Sequence, residues 1–169
     1  MPAVFELAVS ATTRERRPTE KHGREYYFLG EREFDSLVEN DEFLEYVELP
    51  WGARSGTLRS EIDRIQGQGK VPLLDLETDG AIRVKDTIPG SVTVFVDAPS
   101  FDELERRLRA RATESSGEIG ERLELARRQR EQRDRFDYVI VNEDVDRAAD
   151  ELEGIVRKEL QTAGTMTRP

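Results

Sequence analysis

Between Ser10 and Pro18 the sequence runs Ser-Ala-Thr-Thr-Arg-Glu-Arg-Arg-Pro, so hydroxyls and the guanidiniums of Arg14, Arg16 and Arg17 crowd together just after the apolar run Val4 to Val9. A guanidinium fork suits phosphate, to which it gives two parallel charge-assisted hydrogen bonds. Open α/β sheets hold their ligands beyond the carboxyl ends of strands, which is where this loop falls. A solvated basic loop has the same composition, and Lys21 extends it. Two carboxylates interrupt the run Leu74-Asp75-Leu76-Glu77. Strand alternation predicts that Asp75 and Glu77 point the same way, and unpaired charge buried there would be costly. Glu45, within Glu42-Phe43-Leu44-Glu45-Tyr46, reads by itself as an ordinary exposed strand carboxylate. Arg107, Arg109 and Arg111 alternate with apolar and small residues, and a helix surface accounts for Arg107 just as well. Asn142 follows an apolar run, where a turn-forming asparagine is common.

Several other chemistries are excluded. The chain has no cysteine, so disulfides and thiolate metal sites are ruled out. One histidine, His22, makes a transition-metal centre a poor expectation. A formal net charge of −10 disfavours an electrostatic grip on nucleic acid, although one local basic pocket for a single phosphate is compatible with it. No stretch approaches the roughly 20 apolar residues that span a bilayer, and no leader pattern opens the chain. The expectation is a cytoplasmic protein without a membrane segment.

The elements that must position these residues follow from apolar spacing. Strands are predicted at Val4 to Val9, Glu25 to Leu29, Phe43 to Leu49, Val71 to Glu77, Val92 to Val96 and Tyr138 to Val141. Helices are predicted at Glu31 to Asn40, at Thr57 to Gln66 with Thr57 as its cap, and from Ser100, where Glu103 stands at capping-box spacing. Two more are expected at Glu118 to Arg135, facing inward through Ile119, Leu123 and Ala126, and at Val145 to Leu160. Short apolar strands alternating with helices argue for an α/β fold around a largely parallel sheet buried on both faces, with a smaller, more polar lobe inserted between Tyr26 and Thr57. One domain over residues 1–161 is expected, followed by a frayed tail at 162–169.

The motifs also resemble a known family. S-A-T-T-R-x-x-R-P, then H-G-x-x-Y-x-F, F-L-E-Y, S-G-T and L-L-D-L-E-x-D-G-A are similar, in order, to the nucleoside-monophosphate site of guanylate kinases. Further matches are A-P-S-F-D-E-L-E-R-R-L at Ala98 to Leu108, R-A-R-A-T-E at Arg109 to Glu114 and V-I-V-N-E-D at Val139 to Asp144, so the resemblance runs from about Phe5 to Leu160. It implies a P-loop-NTPase-like fold, with the GMP-binding region near 10–57 and a lid near 107–122. It implies that Arg14, Arg17 and Tyr26 hold the GMP phosphate, that Ser10, Glu45, Thr57 and Glu77 recognise guanine, and that Ser55 sets a shorter hydroxyl where the family has a phenolic contact to the GMP phosphate. It further places Asp75 near the magnesium and phosphate side, Arg111 and Arg122 towards the transferring phosphoryl group, and Asn142 near the adenine. The implied activity is a transferase of purine metabolism, passing phosphate from Mg-ATP to GMP.

There are departures from the family pattern. The family opens with a strand, a G-x-x-x-x-G-K-[ST] loop and a helix, and no such loop occurs in this sequence. Gly69-Lys70 is a decoy, with Arg64 in place of the first glycine and Val71 in place of the hydroxyl. The first strand and P-loop are therefore expected to be missing, with impaired turnover. Ser55-Gly56-Thr57 replaces the usual Tyr-Gly-Thr, Glu77 an aspartate, Asp79 a glutamine, and Ala112 the lid glycine. The alternatives are a catalytically inactive module that binds GMP or a phosphopeptide, and a truncated gene product.

Overall fold

The computed structural model describes residues 4–110 and 116–164, the side chains of 116–118 excepted. The chain forms two compact units, Met1–Pro89 and Gly90–Pro169, each with its own strands and helices. Both alternate strand and helix and both contain parallel pairs, as an α/β protein requires.

The first unit contains β1 (Phe5–Leu7), β2 (Ala11–Thr12), β3 (Tyr27–Phe28), α1 (Glu31–Glu39), β4 (Phe43–Glu48), β5 (Arg54–Leu58), α2 (Arg59–Gly67), β6 (Val71–Leu73) and α3 (Thr78–Thr87). β1 pairs in parallel with β6, and a mixed sheet has the order β3-β2-β5-β4. This second sheet is the polar lobe expected from sequence, and it also takes in β2. Its core is Ala11, Phe34 and Phe43, with Leu37 and Val38 of α1 packed around them at the predicted helical spacing. The rings of Phe34 and Phe43 stack with centroids 4.4 Å apart. β4 and β5 approach so closely that a Cβ on Gly56 would lie 2.6 Å from the Glu45 carbonyl oxygen and 2.8 Å from the Tyr46 Cβ, so only glycine fits there.

Two predicted boundaries are corrected. Thr57 does not cap α2. It is a strand residue opposite Glu45, and α2 begins at Arg59, because pairing with β4 keeps the chain extended as far as Leu58. The strand expected from Val71 to Glu77 ends at Leu73, since its partner β1 pairs only through Leu7. Asp75 and Glu77 therefore do not share a strand face. Glu77 is the N-cap residue of α3, a helix that apolar spacing alone does not announce. An internal Gly80 and the β-branched Ile82 and Val84 had weakened its helical signal.

The second unit contains β7 (Val94–Asp97), α4 (Phe101–Ala110), α5 (Ser116–Glu131), a short 3-10 turn at Arg133–Arg135, β8 (Tyr138–Val141) and α6 (Val145–Thr162). β7 and β8 are parallel, with Val94 opposite Tyr138 and Asp97 opposite Val141. The Ser100 hydroxyl accepts from the Glu103 amide at 3.1 Å, as the capping spacing predicted. Asp144 caps α6 through the Arg147 amide. Ile119 and Leu123 are buried, with Ala126 half-buried on the same helix. Val96, Val139 and Val141 are exposed, so this pair is not buried on both faces. α6 runs two residues beyond the predicted Leu160, and residues 165–169 of the expected tail lie outside the described residues. No described helix is long and apolar enough to cross a membrane.

Candidate functional site

Most of the predicted site residues lie in the first unit, on the mixed sheet or in its loops. At one end, Glu45 on β4 faces Thr57 on β5. It is only 3% exposed, which removes the reading of an ordinary surface carboxylate. Burial pushes its carboxyl above the usual range, and the nearby charge of Glu77 adds to that. The Thr57 hydroxyl and amide and the Arg83 charge pull the other way without cancelling it. Oε1 of Glu45 is buried without a hydrogen-bond partner. A buried acceptor of this kind is costly to leave unmet, about 1–3 kcal/mol, and it favours a ligand that brings N–H donors.

At the other end, the loop leaving β2 carries Arg14. Its guanidinium donates to both oxygens of Glu20, at 2.8 and 3.0 Å, and to the Glu15 carbonyl at 2.8 Å. The Arg17 amide also donates to Glu20, at 2.8 Å. Arg14 sits 5.2 Å from the Tyr26 ring centroid and 5.6 Å from that of Phe28. A carboxylate thus occupies the fork that would suit a phosphate. Hydrogen bonds from Arg14 hold the Glu20 carboxyl down at about 2. Thr12 and Thr13 fasten the start of the loop to Arg54 of β5, through the Thr12 hydroxyl donating to the Arg54 carbonyl and the Arg54 amide donating to the Thr13 hydroxyl. Ser55 donates to the Ala11 carbonyl at 3.3 Å, and the Ser10 carbonyl accepts from the Tyr27 amide at 2.9 Å.

The geometry gathers Glu45, Thr57 and Glu77 at one end, and Arg14, Tyr26 and the Arg17 backbone at the other. Asp75 is exposed and lies outside any strand. Gly69-Lys70 turns from α2 into β6, the reverse of the strand-to-helix order of a phosphate-binding loop, and Lys70 pairs with Glu6. Four residues escaped the sequence reading: Glu20, Glu61, Gly80 and Arg83. Glu20 could have been suspected as the first carboxylate after three arginines. Glu61, 2% exposed, accepts from the Val9 amide, the Tyr27 hydroxyl and Arg64, and so ties the end of β1 to α2. Burial pushes its carboxyl up, but the Arg64 and Val9 hydrogen bonds leave it below the usual value. Nothing in its surface-like spacing signalled this.

In the second unit, Asn142 follows β8, its amide donating to the Asp97 carbonyl at 2.8 Å while its side-chain Oδ1 is buried without a hydrogen-bond partner. Arg107 of α4 is half-buried and donates to the Asn142 carbonyl at 2.9 Å and to Glu103 at 2.7 Å, so it is more than a solvated helix residue. Arg109 is exposed and pairs with Glu105 along the same helix. Arg122 is half-buried on α5. Arg111 lies outside the described residues.

A family model described as Guanylate kinase matches residues 1–159. The guanylate kinase of Rhodococcus jostii (strain RHA1) is 43% identical over 147 residues, which cover 86% of this chain and 71% of that protein. That of Chlamydia felis (strain Fe/C-56) is 40% identical over 154 residues, covering 91% and 74%. Among solved structures, guanylate kinase from Anaplasma phagocytophilum superposes with a TM-score of 0.78 at 32% identity, covering 94% of this chain and 77% of that one.

Proposed function

This chain belongs to the guanylate kinase family, and on that premise we propose that it serves reversible phosphoryl transfer from ATP to GMP, giving ADP and GDP. The observation that carries the acceptor half is Glu45, buried opposite Thr57 with a partnerless Oε1. Guanine offers N1–H and an exocyclic amine side by side, a donor pair that a carboxylate can accept and that adenine lacks. Arg14, Arg17 and Tyr26 take the GMP phosphate, with Ser10, Ser55 and Glu77 completing the pocket. The same buried carboxylate argues against a phosphopeptide as occupant, since a phosphopeptide has no need of it.

For the transfer itself, Arg111 and Arg122 would neutralise charge on the moving phosphoryl group, Asp75 would serve the magnesium and phosphate side, and Asn142 the adenine. Such a reaction is accelerated mainly by positioning and electrostatics. Magnesium would arrive with ATP, since it is commonly held by substrate phosphates together with one or two carboxylates. The sequence contains no Gly-x-x-x-x-Gly-Lys-Ser/Thr run to cradle the ATP phosphates. Transfer by the 169-residue polypeptide alone is accordingly slow, by many powers of ten.

The test measures GDP formation from GMP and Mg-ATP with these residues alone and with a strand, glycine-rich loop and helix placed before Phe5. Calorimetric titration of GMP and AMP accompanies it. Preferential GMP binding by both proteins, with turnover only in the extended one, is expected. Equal affinity for GMP and AMP sinks base recognition, and rapid turnover by the shorter protein, abolished by Arg14→Ala, sinks the role given to the loop.

A further inference from the structure

We infer that Gly80 is a specificity-determining residue, whose missing side chain is the space that the Glu45 carboxylate needs in order to meet guanine. A Cβ placed on Gly80 would lie 2.5 Å from Oε2 of Glu45 and 3.2 Å from its Cδ, well inside van der Waals contact. Gly80 is buried in the first turn of α3 with no positive φ, so backbone conformation does not call for glycine there. Helix propensity argues against it, since alanine is favoured over glycine inside a helix. The close approach of the carboxylate supplies the missing reason.

The strand that carries Glu45 and the helix that carries Gly80 are held against each other. Thr57 faces it across the β4–β5 pair, and Gly56, next to Thr57, is packed against the Glu45 carbonyl. On α3, one turn beyond Gly80, Arg83 donates to the Tyr46 carbonyl at 3.1 Å and so holds the helix against β4. A side chain on Gly80 would drive the buried carboxylate off its position, and the donor pair of guanine would no longer meet it. Adenine has no such pair of adjacent donors to set against the carboxylate, so the loss falls on GMP.

This inference rests on the reading that Glu45 accepts from guanine, and the test separates the two. Gly80→Ala, Glu45→Ala and the double variant are titrated calorimetrically with GMP and AMP, and their thermal unfolding is followed. Expected are a GMP affinity at least about tenfold weaker in Gly80→Ala, from the loss of a buried polar contact, and an unchanged AMP affinity. In the Glu45→Ala background, Gly80→Ala costs nothing further in GMP affinity and raises the melting temperature, because the clash is gone and the helix gains alanine. A GMP-to-AMP ratio unmoved by Gly80→Ala, an equal loss for both nucleotides, or the same loss with Glu45 already removed overturns the assignment. If the parent itself does not prefer GMP, the guanine reading fails, while the melting-temperature cycle still decides whether Gly80 and Glu45 are in conflict.

Discussion

The two ends of the first unit proposed to take the phosphate and the base place their charges in opposite circumstances. Around Arg14 the charges answer one another: Glu20 takes both guanidinium nitrogens and the Arg17 amide, and its carboxyl is held at about 2. Around Glu45 a carboxylate has been taken out of water, pushed up in pKa and left with one unmet oxygen. The first arrangement keeps a cationic fork ordered at little cost to the fold. The second places a desolvation cost where only a ligand with matching donors relieves it. Affinity should therefore come mainly from the phosphate end, and discrimination between bases from the buried end.

The largest effect is expected from Arg14→Ala. It removes the proposed bidentate partner of the phosphate, and charge-assisted hydrogen bonds contribute about 1.5–3 kcal/mol each, so nucleotide affinity should fall at least about a hundredfold. GMP and AMP should weaken alike in calorimetric titration. A loss confined to GMP would show that the two ends do not divide the work in this way.

Glu45→Gln should act on the other side of the comparison. The amide places a donor against the donors of guanine, so GMP affinity should fall about tenfold or more while AMP is not weakened. The fold should respond in the opposite sense. Because the folded-state pKa of Glu45 is raised, its protonated form favours folding, and that stability is present at low pH and lost as pH rises through the raised value. Glu45→Gln should accordingly melt higher than the parent at neutral pH, with the gap closing in acid. Melting curves at several pH values check both signs.

A smaller change follows from Arg83→Ala. The Arg83 charge favours the ionised form of Glu45. Without it the carboxyl protonates more readily, and the pH below which GMP binding is lost should move upward, with an affinity change of only about threefold at neutral pH. An unmoved pH profile would separate Arg83 from the base end.

The phosphate end was the more legible of the two in the sequence, and for a physical reason. Arginines and hydroxyls packed into one short loop announce their chemistry by composition, and the strand before them by its apolar run. Glu45 was ambiguous because burial is a tertiary property: Phe43, Glu45 and Val47 alternate like any half-buried strand, and only pairing with β5 and the approach of α3 enclose the carboxylate. α3 itself was missed because the glycine that makes room for Glu45 also weakens the helix signal. The strand drawn through Asp75 and Glu77 failed because strand length is set by the partner, and β1 stops at Leu7. The residue type of Thr57 suggests a cap, yet a threonine held in a ladder cannot also turn the chain.

The smallest expected effect tests the phosphate end by acid. Glu20 has an ordinary value near 4.5 and a folded value of about 2, so it favours the fold while ionised. The contribution is fully present above about pH 4.5 and lost as pH falls towards 2. The pair is partly exposed, with the Arg14 side chain 24% accessible and that of Glu20 11%, so water and salt weaken it. Glu20→Gln should lower the neutral-pH melting temperature by at most about 4 °C, and the difference from the parent should vanish near pH 2 and shrink in high salt. This trend is the reverse of that for Glu45→Gln, which melts above the parent at neutral pH and approaches it from above in acid. Two substitutions of the same chemical kind in one unit would then give pH profiles of opposite sign. If both lower stability at neutral pH, Glu45 has found a partner that satisfies its remaining oxygen, and the contrast between a fully and a partly answered carboxylate is lost.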